Sequence, residues 1–205
     1  MRIKFCDMIE TYLTIQRQSN GIYKEKGSKF LSFALPVRHI DEIKKHLAAF
    51  KKEYYDARHI CYAYMLGAER EEYRANDDGE PSGTAGKPIL GQINFRGITN
   101  VLVVVVRYFG GILLGTGGLI TAYKEAASNA LEQAEIIELT VDCIMDVFFE
   151  YPVMDVVMNA IKQHQAQIKI QDFNEGCFIR LIVPIANKTV LFDKLEKVAS
   201  QVIIS

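Results

Sequence analysis

Six consecutive apolar residues, Val101-Leu-Val-Val-Val-Val106, run straight into Arg107, and five glycines follow at positions 110, 111, 115, 117 and 118. A half-exposed strand alternates apolar and polar side chains. A run with no polar alternate therefore predicts a central strand covered on both faces. The bare segment behind it serves either tight turns or the approach of another group to the backbone. Past the glycines, Thr116 is placed to cap a helix whose inner face is Leu119, Tyr123, Ala126, Ala127, Ala130, Leu131 and Ala134. The alanines on that face imply close packing on a sheet.

Other elements follow from spacing. Residues 22–37 alternate imperfectly around Gly27 and read as two strands or one bent strand, stopped at Pro36. Asp41 is placed to cap a helix carrying Ile43, Leu47, Phe50 and Tyr54 on one face. Ile60–Leu66 is apolar almost throughout, and Glu69–Asn76 reads as a charged arm. The stretch Asp77–Pro88 is turn chemistry, with Pro88 suited to the first position of a short helix through Phe95. Beyond residue 136 the pattern predicts a separate small domain. It comprises a strand over Thr140–Glu150, a helical stripe from Val153 to Ile161, a hairpin across Asn174-Glu-Gly176, a helix through Leu191, Leu195 and Val198, and a last strand at Val202–Ile204. That order, β-α-β-β-α-(β), matches a ferredoxin-like split βαβ unit. The expected fold class is α+β, with one domain over 1–136 and a second over 137–205.

The charge balance restricts what such a chain can bind. Net charge is −1, with 18 basic and 17 acidic residues before position 141 and 6 and 8 after it. Any nucleic-acid surface must then be a local patch and not a bulk field. Cys6, Cys61, Cys143 and Cys177 are far apart with no C-x-x-C pair, which fits reduced thiols in a cytoplasmic protein. Asp7 and Glu10 interrupt the apolar core an export signal needs, and no run reaches the roughly 18 apolar residues of a membrane span.

Two groups of residues can carry chemistry. Gly110, Gly111, Gly117 and Gly118 lie between a buried strand and a helix, where backbone N–H groups bind anions. Nucleotide fingerprints fail on inspection. A G-x-G-x-x-G starting at Gly115 meets Ile120, and a P-loop ending at Lys87 meets Pro81 and Pro88. The second group is ionic: Arg58, His59, Asp77, Asp78, Glu80, Lys87 and Arg107, with Ser82 and Thr84 between. Either Arg58, Lys87 and Arg107 grip phosphates while the carboxylates bind a cation or position a base, or the arginines pair with those carboxylates and pin the loop. The histidines share no metal-ligand spacing, and Cys61 reads as a buried small residue. Among the rings near the basic positions, Tyr73 and Tyr108 are the solvent-side candidates for stacking on bases.

Taken together, Ser28-Lys-Phe30, Arg58-His59, Asp77-Asp-Gly-Glu-Pro-Ser-Gly-Thr-Ala-Gly-Lys-Pro88 and Val104-Val-Val-Arg-Tyr-Phe-Gly-Gly111, followed by Leu114-Gly-Thr-Gly-Gly-Leu119 and Ala122-Tyr123, resemble the YigZ/IMPACT family over about residues 20–130. The resemblance implies a fold like domain 2 of ribosomal protein S5 for the first domain. For the second it implies the small ferredoxin-like domain that bacterial members append. It also implies a translation-associated factor that binds RNA or the ribosome; no cofactor is expected, and the residue spacing above gives no expectation of a metal site or a membrane span. Alternatives are a regulator of a protein partner in translation control, or a nucleotide- or phosphate-binding enzyme using the Asp77–Lys87 and Gly110–Gly118 loops. Eukaryotic relatives regulate translation with an additional N-terminal domain. Only about 20 residues precede the family segment here, so that mechanism is not expected to carry over.

Overall fold

The computed structural model describes residues 9–174 and 176–205. Expectations that involve Cys6, Asp7 or the turn residue Glu175 lie outside the described residues. The chain divides into two compact units, one over Tyr12–Leu139 and one over Thr140–Ser205 with the segment ending at Thr11.

The first unit contains β1 (Thr11–Ile15), β2 (Ser19–Glu25), β3 (Ser28–Pro36), α1 (Ile40–Glu53), β4 (His59–Leu66), β5 (Glu72–Asn76), α2 (Gly86–Phe95), β6 (Val101–Tyr108), α3 (Gly115–Glu132) and β7 (Ile136–Thr140). Five of these strands form one antiparallel sheet in the order β2-β3-β6-β4-β5. The apolar run occupies the middle of that sheet. Val101, Val103 and Val105 join the core beneath α2 and α3, whereas Leu102, Val104 and Val106 join the core beneath α1. All six are fully buried, and each removes enough apolar surface from water to contribute about 1.5–3 kcal/mol. The alanine face of α3 is buried as its spacing demands, at Ala122, Ala126, Ala127 and Ala130.

The second unit runs β8 (Asp142–Phe149), α4 (Met154–Gln163), β9 (Gln167–Asp172), β10 (Cys177–Pro184), α5 (Lys188–Leu195) and β11 (Gln201–Ile204). Its antiparallel sheet has the order β11-β8-β10-β9. β10 alternates strictly, and its buried positions Ile179, Leu181 and Val183 meet Met145, Val147, Val157, Leu191 and Leu195 in one core.

Several boundaries differ from the sequence pattern. The expected strand over Thr140–Glu150 is divided into β7 and β8, and β1 pairs with β7 across more than a hundred residues. The charged arm is itself a strand, β5, paired with β4 from Tyr62↔Asn76 to Leu66↔Glu72. Neither predicted side-chain cap forms. His39 occupies the cap position of α1 and Leu114 that of α3, each without a capping side chain, while Asp41 pairs with Lys44 on the surface. Helix α2 starts two residues before Pro88, because a distant carboxylate caps it.

Candidate functional site

The site begins with strand alternation. Arg107 follows Val105 on the α2/α3 face of β6, opposite Phe30 of β3 on one side and His59 of β4 on the other. The guanidinium therefore lies between rings, 5.5 Å from the Phe30 centroid and 5.8 Å from that of Phe109 just past the strand end. Such stacking holds the plane of the group in place.

The Asp77–Ala85 loop folds over this row. Asp77 accepts hydrogen bonds from the backbone N–H groups of Gly83 (2.8 Å), Ala85 (3.0 Å) and Gly86 (2.8 Å), and so caps α2 from nine residues upstream. Burial opposes its charge, but those three donors and nearby Lys87 outweigh burial and hold the carboxyl below its usual range. Asp78 continues the β4 ladder with a side chain: its carboxylate accepts the Ile60 N–H at 2.7 Å, and its carbonyl accepts from His59 Nδ1 at 2.7 Å. A carbonyl only accepts, so the proton of a neutral His59 sits on Nδ1. The Thr84 hydroxyl donates to the Pro81 carbonyl at 2.6 Å. The fold thus takes up the polar atoms of Asp77, Asp78 and Thr84, and none of the three lines the cavity described below.

Glu80 is carried inward to Arg107. One of its oxygens, Oε1, accepts from Arg107 Nη1 at 2.6 Å and from the Tyr123 hydroxyl at 2.7 Å, with His59 Nε2 at 3.9 Å. The Glu80 and Arg107 side chains are only 4% and 7% exposed. The single proton of the Cys61 thiol is shared between the Asp77 carbonyl at 3.0 Å and the Tyr123 hydroxyl oxygen at 3.3 Å. Burial pushes both Cys61 and Tyr123 well above their ordinary ranges, so neither is a nucleophile or base near neutrality. Among the described residues no group of three or more His, Cys, Asp and Glu side chains is arranged to hold a metal ion.

Above this network lies a cavity of about 600 Å³, lined by Arg58, His59, Glu80, Pro81, Arg107, Phe109, Leu113, Leu114, Gly115, Thr116 and Leu119. Its polar edge combines Arg58, the start of α3 and the stacked Arg107. Arg58 is exposed and forms no ion pair among the described residues. Gly115, with φ +70°, turns the chain into α3, and that helix's first turn has no side-chain cap. Its N–H groups therefore remain available to an anion.

The structure sorts the residues singled out from sequence. It brings Arg58, His59, Glu80 and Arg107 together on the cavity. Lys87 is exposed on α2 beside Gly83, away from the lining, and Ser82 is exposed without a hydrogen bond among the described residues. Tyr108 turns to the α1 face, where its hydroxyl donates to Asp56 at 3.0 Å. Gly110 serves packing: a Cβ there would overlap the backbone of Gly27 and Ser28, and its N–H donates to Ser28 Oγ. Gly111 is exposed, and Gly117 and Gly118 line a separate depression of about 240 Å³ near Tyr23 and Lys26. Sequence reasoning missed the apolar wall of Phe109, Leu113, Leu114 and Leu119. The signal available was the exposure expected of Phe109 and Leu113 in a glycine loop too bare to bury them.

Comparison with known proteins agrees with this architecture. The model of the Impact N-terminal domain matches residues 26–131. IMPACT family member YvyE of Bacillus subtilis is 33% identical over 169 residues, covering 82% of this chain and 78% of that protein. IMPACT family member YigZ of Escherichia coli is 34% identical over 186 residues, covering 87% and 88%. A crystal structure of a hypothetical protein, 31% identical, superposes over 93% of both chains with a TM-score of 0.73. With its long loop, stacked arginine and glycine turn all inside the matched segment, the chain belongs to the IMPACT family.

Proposed function

We propose that this chain is a translation-control factor that works by binding, and that its Tyr12–Leu139 unit contacts RNA, free or ribosomal, through the cavity at the start of α3. The family resemblance supplies the setting. The observation that carries the reading is the meeting, on one cavity, of an unpaired guanidinium (Arg58), an uncapped helix start (Gly115, Thr116) and an exposed ring (Phe109) fixed against Arg107. A cation and a helix start hold a phosphate, and a ring accepts a base. Cys61 and Tyr123 offer no nucleophile beneath the cavity, because burial raises the pKa of both.

The strand order β11-β8-β10-β9 with two intervening helices supports assigning the second unit to the ferredoxin-like class, and we assign the first to the S5 domain 2-like class. A cytoplasmic location goes with this reading. It is supported by the free thiols of Cys61, Cys143 and Cys177, and no helix among the described residues is long and apolar enough to cross a membrane.

The test is sedimentation of the tagged chain through lysate gradients at low salt, with and without nuclease. Co-migration with ribosomal particles or RNA that nuclease abolishes, and that Arg58→Glu weakens at least tenfold, is the expected result. A protein that stays at the top of the gradient under every condition overturns the reading.

A further inference from the structure

We propose that the cavity is a receptor for the phosphorylated end of a nucleotide chain. In this arrangement a phosphomonoester sits against Arg58 and the first turn of α3, with its nucleoside along Phe109 and Leu113. The inference rests on the RNA reading above and narrows it from a strand in general to a strand terminus.

Shape is the first argument. A surface that follows a strand presents a row of cations along an open groove, with rings between them. Here Arg58 is the lining cation without an ion pair among the described residues, Arg107 is matched by Glu80, and Lys87 stands away from the lining. What remains is a single positive focus in a hollow of about 600 Å³ with apolar walls at Pro81, Phe109, Leu113, Leu114 and Leu119. That volume is typical of sites enclosing one small molecule, roughly 300–1,000 Å³.

Charge is the second argument. The 18-residue helix α3 begins at the cavity with no capping side chain, so the partial positive charge of its N-terminus, about half a unit, is unopposed there. Arg107 adds an independent sign of a missing acceptor. It is 6% exposed, it lines the cavity, and its Nε has no hydrogen-bond partner among the described residues. Buried donors are nearly always paired, so one nitrogen of this cavity-lining guanidinium is left without the acceptor such a donor ordinarily has. A terminal phosphate bears about 1.5–2 negative charges at pH 7 and three acceptor oxygens, whereas an internal diester bears one charge. One compact focus of Arg58 and the helix start, beside the neutralised Glu80–Arg107 pair, favours the more highly charged group. His59 and Glu80, the other titratable groups on the lining, are held by Asp78 and Arg107 and leave the focus positive.

The experiment compares labelled hexauridylates bearing a 5′-phosphate, a 3′-phosphate or two hydroxyl ends, with uridine monophosphate and inorganic phosphate as competitors, on the full chain. One phosphorylated end is expected to raise affinity on the order of tenfold, as an added charge-assisted contact does. Uridine monophosphate is expected to compete better than inorganic phosphate. Arg58→Ala should erase the advantage; its exposed side chain leaves the fold intact. Lys87→Ala should preserve it. Equal affinity for all three hexamers, or an advantage that survives Arg58→Ala, overturns the terminal-phosphate inference while RNA binding stands. Binding of uridine monophosphate with no hexamer bound overturns the RNA reading and keeps a phosphomonoester site. Binding of neither overturns both.

Discussion

Replacing Glu80 by glutamine removes a negative charge from the interior at almost no change in volume, and the geometry sets how much that matters. Glu80 and Arg107 meet at 2.6 Å with side chains 4% and 7% exposed, and Tyr123 donates to the same oxygen. At an effective dielectric of about 20, two charges roughly 4 Å apart attract by about 4 kcal/mol. Loss of one partner strands the other charge away from water, and buried pairs broken this way lose about 3–5 kcal/mol of stability. The glutamine can still accept a hydrogen bond, so the loss isolates the charge. The chain has no tryptophan, and nine of its ten tyrosines lie in the Tyr12–Leu139 unit, all except Tyr151. Tyrosine fluorescence in a urea titration therefore follows that unit. With a slope of about 2 kcal/mol per molar urea, the midpoint should fall by roughly 1.5–2.5 M. Adding Arg107→Met should recover much of the loss, because no charge is then left unpaired. A fall below about 0.5 M for the single variant would match an exposed salt bridge and refute the reasoning.

Further outcomes follow from other contacts. Gly110→Ala should destabilise the first unit by more than about 2 kcal/mol, because its Cβ would overlap the Gly27–Ser28 backbone, whereas Gly117→Ala meets nothing within 4 Å and should change stability by less than about 1 kcal/mol; paired urea melts decide between them. In the second unit Arg180 lowers the Asp146 carboxyl through two hydrogen bonds of 2.7 and 2.6 Å. Since the folded value lies below the ordinary carboxyl value of 3.8, the stabilisation is present above that pH and disappears as pH falls through the lower folded value. Asp146→Asn should accordingly lower the urea midpoint of the second unit at pH 7, read by far-UV circular dichroism, and the gap from the parent should narrow as pH falls below 3.8. Cys61 should resist iodoacetamide in the native protein and react on unfolding, while half-buried Cys143 reacts faster than Cys61 in the folded state; peptide mapping reads both.

What was legible in the sequence was local in origin. The run Val101–Val106 announced a strand covered twice, and it is the central one, with alternate residues in two different cores. The α3 stripe and the strict alternation of β10 were readable because each period is set by neighbours in the chain. The pairing of β1 with β7 was not readable, because strands joined across more than a hundred residues leave no local mark. The charges around Arg107 showed that a pair was available without showing which carboxylate takes it. Only the folded loop separates Asp77, spent on the start of α2, and Asp78, spent on the edge of β4, from Glu80, which reaches the arginine.

The glycine segment after β6 does two jobs that the sequence ran together. Gly110 lets the chain pass against the Gly27–Ser28 turn, which fixes the direction in which Phe109 leaves the strand end and so stacks it on Arg107. Gly115 then turns the chain into α3, whose uncapped first turn faces the same cavity. The bare backbone therefore shapes the site from both ends: one glycine sets the ring that walls it and another the helix start that charges it. The buried Glu80–Arg107 pair holds the junction between them. A buried ion pair is weak evidence for added stability. Here it keeps a guanidinium at the base of an apolar cavity, pinned by one nitrogen and with another lacking an acceptor among the described residues.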